Sequence, residues 1–112
     1  MNKLLLVISL LIFITVPTVV WSQDCTADDG TEGVELWGEC YSIENTTYLD
    51  LSNSGLTGEI PPEIGNLTNL TYIGLSGNQL TGSIPPEIGN LINLVELRLS
   101  ANDLTGSIPS GI

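Results

Sequence analysis

From Thr47 onward the chain repeats itself every 24 residues, and no other feature limits its folding choices so tightly. Thr47–Leu70 laid over Thr71–Leu94 agrees at 17 of 24 positions, and Val95–Ile112 begins a third copy. Apolar residues advance in register: Leu49, Ile73 and Leu97; Leu51, Leu75 and Leu99; Leu56, Leu80 and Leu104; Ile60, Ile84 and Ile108; Ile64, Ile88 and Ile112. The chain breakers keep step with them, as Gly58, Gly82 and Gly106 and as Pro61, Pro85 and Pro109. A unit this short cannot enclose an apolar face alone, so the copies must stack on one another.

One copy reads as one turn of a coil. Ile73 and Leu75 are two apart, so on an extended strand both point to one side while Tyr72, Gly74 and Ser76 point to the other. Gly77-Asn78 then turns the chain, Leu80 dips back inside, and Gly82 with Ile84-Pro85 bends it again. Pro85-Pro86 is incompatible with a helix interior, so the return limb Glu87 to Leu94 is expected to be a 3-10 turn or irregular. Coils stacked about 4.8 Å apart make a parallel sheet over a continuous apolar column. Each leucine-class side chain buried in it contributes on the order of 1.5–3 kcal/mol. Asn78 and Asn102 share one register position, where an asparagine either forms a turn or satisfies backbone groups of adjacent coils as a ladder of side-chain amides. Ser54 stands there in the first copy, with a shorter reach.

These residues carry a resemblance. Leu70 to Leu80 fits L-x-x-L-x-L-x-x-N-x-L, as does Leu94 to Leu104, and Leu80-Thr81-Gly82-Ser83-Ile84-Pro85 resembles the L-T-G-x-I-P segment of plant-type leucine-rich-repeat proteins. That class includes plant receptor kinases, polygalacturonase inhibitors and bacterial secreted proteins. The resemblance implies an α/β-type solenoid of short parallel strands with irregular or 3-10 return limbs, whose concave strand face is the usual ligand surface. It also implies a capping region before the first repeat, where Trp37-Gly38-Glu39-Cys40 approximates the family's W-x-G-V-x-C run and Gly33-Val34 falls earlier. Trp37 and Tyr41 are the residues expected to cover the open end of the column.

The beginning of the chain is of another kind. Met1-Asn2-Lys3, an apolar run from Leu4 to Val16, Pro17 and then Val20-Trp21-Ser22 make a secretory signal with cleavage expected between Ser22 and Gln23. Leu4 to Trp21 also approaches the length of a membrane span, so an uncleaved anchor is the alternative. The expected organisation is a signal over 1–22, an N-terminal cap over 23–44 and repeats over 45–112, two full and a third incomplete. Its destination is extracellular or the cell surface, or the periplasm in a bacterium. An oxidising route makes the even count of Cys25 and Cys40 read as one disulfide, closing a loop for about 3 kcal/mol in the chain-entropy account. The competing metal pair lacks further ligands, since the chain has no histidine and no third cysteine.

Composition narrows the partners. Without Lys3, Arg98 is the single cation against 13 Asp and Glu, so nucleic acid and anionic membrane surfaces are unsuitable partners. Seven of the acids, Asp24 to Glu44, precede the repeats and read as solvated surface. No cofactor or metal is expected: Asp28 to Glu32 fails the calcium-loop pattern, and Glu63 with Glu87, a coil apart, form the one conceivable carboxylate pair, on exposed positions. The better candidates lie on the exposed strand positions, as a face for a protein or glycan ligand. These are Tyr48, Asp50, Ser52 and Asn53, then Tyr72 and Ser76 with Gly74 and Gly77, then Glu96, Arg98 and Ser100 with Ala101. Asn45, Asn66 and Asn69 each begin an N-x-[ST] sequence, a glycan acceptor in a eukaryotic secretory pathway and a polar turn residue otherwise.

Three functions are in contention: a secreted binding module, a structural spacer or front portion of a longer repeat protein or receptor ectodomain, and a small enzyme for which the side chains are missing. The third copy reaches Ser110-Gly111-Ile112 with its apolar column open, so that end is expected to be covered by further repeats, self-association or a partner.

Overall fold

The computed structural model describes residues 24–112; the expected signal over 1–22 lies outside them. Among the described residues no helix is long and apolar enough to cross a membrane.

The chain begins with an antiparallel sheet of β1 (Asp24–Thr26), β2 (Glu32–Leu36) and β3 (Glu39–Ser42), in the order β1-β2-β3. Leu36 pairs with Glu39 across the two-residue turn Trp37-Gly38. Both turn residues have positive φ, 48° and 89°, the twist that a tight hairpin requires and that glycine supplies without strain. Cys25 and Cys40 are joined in a disulfide that ties β1 to β3, their Cα atoms 6.0 Å apart. Val34 and Leu36 turn inward from β2, buried among the repeat residues, and β2 lies against the 3-10 helix Pro62–Asn66. Trp37 and Tyr41 pack only partly buried against the same cluster, so the smaller β2 side chains are the ones wholly enclosed there. The hairpin turn explains this: it places Trp37 beyond the end of the strand, at the rim.

The repeats follow as a solenoid. β4 (Tyr48–Asp50), β6 (Tyr72–Gly74) and β8 (Glu96–Arg98) form a parallel sheet in that order, with Tyr48 opposite Tyr72 and Tyr72 opposite Glu96. Hydrogen bonds continue past the strands, as Leu51 N–H donates to the Gly74 carbonyl and Leu75 N–H to that of Arg98, both at 2.8 Å. A second, two-stranded parallel sheet joins β5 (Thr57–Glu59) to β7 (Gln79–Thr81). Sequence patterning suggests only a turn there, because β5 is exposed at every position and has no apolar alternation to announce a strand. Backbone pairing between stacked neighbours makes it.

The return limbs carry 3-10 helices at Pro62–Asn66 and Pro86–Asn90, each with proline in its first turn, where the missing N–H is harmless. The described residues contain no α-helix, so the helical part of the expected α/β-type solenoid is 3-10 throughout. Gly65 explains how closely the limbs approach: a Cβ there would lie 2.6 Å from the Glu87 carbonyl oxygen. The column between strands and limbs consists of Leu49, Ile60, Ile64, Leu67, Leu70, Ile73, Leu75, Leu80, Ile88 and Leu91. Burial is nearly complete in the middle copy and falls away in the third, where Leu97, Leu99 and Leu104 are half-buried and Ile108 and Ile112 are exposed.

Candidate functional site

The sheet β4-β6-β8 has one face in the column and one in solvent, and the alternation of side chains decides which residues each receives. Leu49, Ile73 and Leu97 go inward. Tyr48 and Asp50, Tyr72 and Gly74, Glu96 and Arg98 are left on the other face, with Ser52, Ser76 and Ser100 just beyond the strands. The first copy thus brings Tyr48 and Asp50 beside Tyr72, and the third sets Arg98 on the far side.

Parallel register places Tyr48 directly against Tyr72. Their rings stack with centroids 4.4 Å apart and planes within 9° of parallel. The Arg98 guanidinium carbon lies 5.9 Å from the Tyr72 centroid. Glu96 holds that guanidinium, accepting from Arg98 Nε at 2.9 Å with Nη2 at 2.7 Å. Both groups are exposed, so the pair orients the arginine more than it stabilises the fold. Gly74 gives the assembly its room: a Cβ at this buried position would sit 2.8 Å from both Asp50 Oδ1 and the Tyr72 hydroxyl. Asp50 Oδ1 accepts the Ser52 N–H at 3.1 Å, and hydrogen bonding to Ser52, with a smaller contribution from Arg98, lowers its pKa. Desolvation first, then the Asp50 charge, raises that of Tyr72. The tyrosine stack and the part played by Gly74 were not evident from the chain alone. The available signal was the same aromatic residue at 48 and 72, one parallel-strand spacing apart.

The remaining face residues have simpler surroundings. Ser100 Oγ donates to Ser76 Oγ at 3.1 Å. Asn53 is exposed, has φ 53° and donates its N–H to the Ser76 carbonyl at 2.9 Å.

Below the face, Asn78 Oδ1 accepts the N–H groups of Ser54 at 3.0 Å and Leu56 at 2.9 Å, while Nδ2 donates to Leu51 and Leu75 carbonyls, each at 2.9 Å. Asn102 repeats the pattern one copy later, accepting from Leu80 N–H and donating to the Leu75 and Leu99 carbonyls. Ser54 does not extend it, for its hydroxyl donates locally to the Ser52 carbonyl. Among the N-x-[ST] residues, Asn45 donates to Asp29 Oδ2 and Asn69 to the Glu44 carbonyl, both at 2.9 Å, while Asn66 is exposed at the end of its 3-10 helix. Ile88, Leu91, Ile92, Leu94 and Ile112 line a groove at the last copy.

Among the described residues no group of His, Cys, Asp and Glu is arranged to hold a metal. Glu63 and Glu87 begin successive return limbs, on the 3-10 helices and away from the tyrosine stack.

Comparison with known proteins agrees with this geometry. The family described as Leucine Rich repeats (2 copies) matches residues 68–110, and Leucine Rich Repeat matches residues 45–67. A chain of the BIR3–SERK2 complex from Arabidopsis thaliana is similar, at 42% identity and a TM-score of 0.59, over 62% of this chain and 37% of that one. The plant peptide hormone receptor RGFR1, solved in complex with RGF2, is 30% identical over 83% of this chain and 19% of its own, with a TM-score of 0.37. This chain therefore spans well under half the length of either. No curated protein matches it. Two adjoining repeat matches over 45–110, on a stack of parallel strands with an apolar column beneath, place this chain in the leucine-rich-repeat family.

Proposed function

We propose that the chain is a non-catalytic recognition module, exported by the segment 1–22, whose strand face receives a protein ligand. In this organisation residues 23–44 cap the column and residues 45–112 carry the face. The observation that carries it is the stack of Tyr48 on Tyr72 with Arg98 beside it, on a surface otherwise lined by Asp50, Glu96, Ser52, Asn53, Ser76 and Ser100. Tyrosine and arginine are among the side chains enriched where proteins make their strongest contacts. The L-T-G-x-I-P spacing and the likeness to a chain of the BIR3–SERK2 complex support the same reading. Three strands of this length span about 180 Å², below the ~800 Å² each partner gives to a standard interface. Recognition by these copies alone is accordingly of a short segment or is one portion of a larger contact.

Selection from a displayed library of random peptides tests the proposal. Binders are expected to be lost on Ser100→Trp, which fills the strand face, and retained on Glu87→Trp on the return limb. The reverse sensitivity would reject the strand face as the ligand surface. A spacer role, with the groove at Ile88, Leu91 and Ile112 occupied by a neighbouring repeat unit, is the alternative, supported by the exposure of Ile108 and Ile112. It predicts that no selected binder responds to either substitution.

A further inference from the structure

The tyrosine stack has two outer faces, and they differ. Tyr72 turns its outer face toward Arg98, whose guanidinium carbon is 5.9 Å from the ring centroid and whose charge is held by Glu96. The outer face of Tyr48 has no such neighbour: Arg98 is the sole Lys or Arg within residues 24–112, and Tyr48 is 62% exposed. A tyrosine face attracts a cation through its ring quadrupole, and two stacked rings present that face rigidly. Arg98 with Glu96 shows, inside the molecule, which group such a face takes and how a carboxylate on the same strand steadies it.

On β4 the carboxylate is Asp50, which stands at the register position of Arg98 with its Oδ1 over Gly74. It follows Tyr48 by two residues on the same face, about 7 Å along an extended strand, which is within the length of an arginine or lysine side chain lying along the ring. Its pKa is lowered, chiefly by hydrogen bonding to Ser52, so it stays ionised at neutral pH, and its accepted bond uses Oδ1. The surrounding field has the same sign. With 13 acids and one base over the described residues, the molecule concentrates cationic ligands near its surface and repels anionic ones.

We propose that the open face of Tyr48, together with the Asp50 carboxylate, is a receiving site for a basic side chain of a protein ligand, which caps the stack at one end as Arg98 caps it at the other. The proposal rests on the strand-face reading above and names the chemistry of its ligand: an extended segment presenting arginine or lysine. A neutral glycan would gain the ring contact and nothing from the charge.

The test is a residue-resolved NMR titration of the isotopically labelled chain, at low salt, with acetyl-Ser-Gly-Arg-Gly-Ser-amide and with the same peptide carrying citrulline, which keeps the shape and removes the charge. The arginine peptide is expected to shift Tyr48 and Asp50 and to bind at least about fivefold more tightly than the citrulline peptide. Tyr48→Ala and Asp50→Asn should each remove most of that preference, and Glu63→Gln should leave it unchanged. Equal binding of both peptides at the strand face would overturn the cation site and leave the strand-face reading standing. Shifts confined to the return limbs or to Asp28, Glu32 and Glu35, or none at Tyr48 at about 10 mM peptide, would overturn the site as well, and with return-limb shifts the reading beneath it. A neutral oligosaccharide such as maltotriose that shifts Tyr48 more strongly than the arginine peptide would replace the basic ligand with a glycan.

Discussion

Asn78 accepts the backbone N–H of Leu56, a residue of the preceding copy, at 2.9 Å through its side-chain oxygen. The contact is one of several by which a single buried amide closes the turn of its own copy and the backbone of its neighbour. Stacked turns hold peptide groups away from water with no strand partner to satisfy them, and asparagine has both the donor and the acceptor that such groups need. Asn78→Ala leaves the N–H groups of Ser54 and Leu56 and the carbonyl of Leu51 without this partner. Denaturant unfolding should show a loss of about 3 kcal/mol. Asn102, less buried and accepting one N–H instead of two, should cost about half as much on the same substitution.

Gly74→Ala separates the tyrosine stack from the fold. The added methyl meets the Asp50 carboxylate and the Tyr72 hydroxyl, both ends of side chains that can swing away. Stability should change by less than about 1 kcal/mol, while the ring-current shifts linking Tyr48 to Tyr72 disappear from the NMR spectrum. Unaltered ring shifts would show that the stack does not need the gap at 74.

Backbone conformation at the turn gives a paired expectation. Asn53, Gly77 and Ala101 occupy one register position and have φ of 53°, 74° and 57°. An alanine is strained in the left-handed region, where glycine is not. Ala101→Gly should therefore raise stability by about 0.5 kcal/mol once glycine's greater unfolded-state freedom is offset. Gly77→Ala should lower it by about 2 kcal/mol, since it adds the same strain and drives a Cβ into Asn53 Oδ1. Thermal unfolding of the two variants checks both signs.

Acid should loosen the N-terminal sheet through Asp29. Its carboxylate accepts from the Thr31 hydroxyl and N–H and from Asn45 Nδ2, and these bonds hold its pKa below the usual 3.8. A carboxyl whose folded pKa is depressed contributes stability that is present above the unfolded value and is lost as pH falls through the folded one. Stability of the wild-type chain should fall below pH 3.8 more steeply than that of Asp29→Asn, which has no proton to gain there. Parallel curves for the two proteins between about pH 5 and pH 2 would remove Asp29 from the account.

Much of this was legible in the chain. A 24-residue register with leucines two apart implies short strands stacked in parallel over an apolar column, because no single copy could enclose its own apolar face. The exposed strand positions follow by alternation, and the prolines exclude a helix interior from the return limbs. With only two cysteines in the chain, Cys25–Cys40 is the sole intramolecular pairing. These are local rules, and local composition states them.

Only the tertiary structure decided how neighbouring copies meet. It brought Tyr48 and Tyr72 face to face, set Arg98 beyond them and cleared space at Gly74 for both a hydroxyl and a carboxylate. It paired exposed β5 with β7, buried Val34 and Leu36 beneath a rim formed by Trp37, and held Ala101 in a conformation its residue type disfavours. Each of these depends on the distance and rotation between coils, which are set by packing of the whole column. A period along the chain states which residues recur, and the stacking geometry states which of them touch.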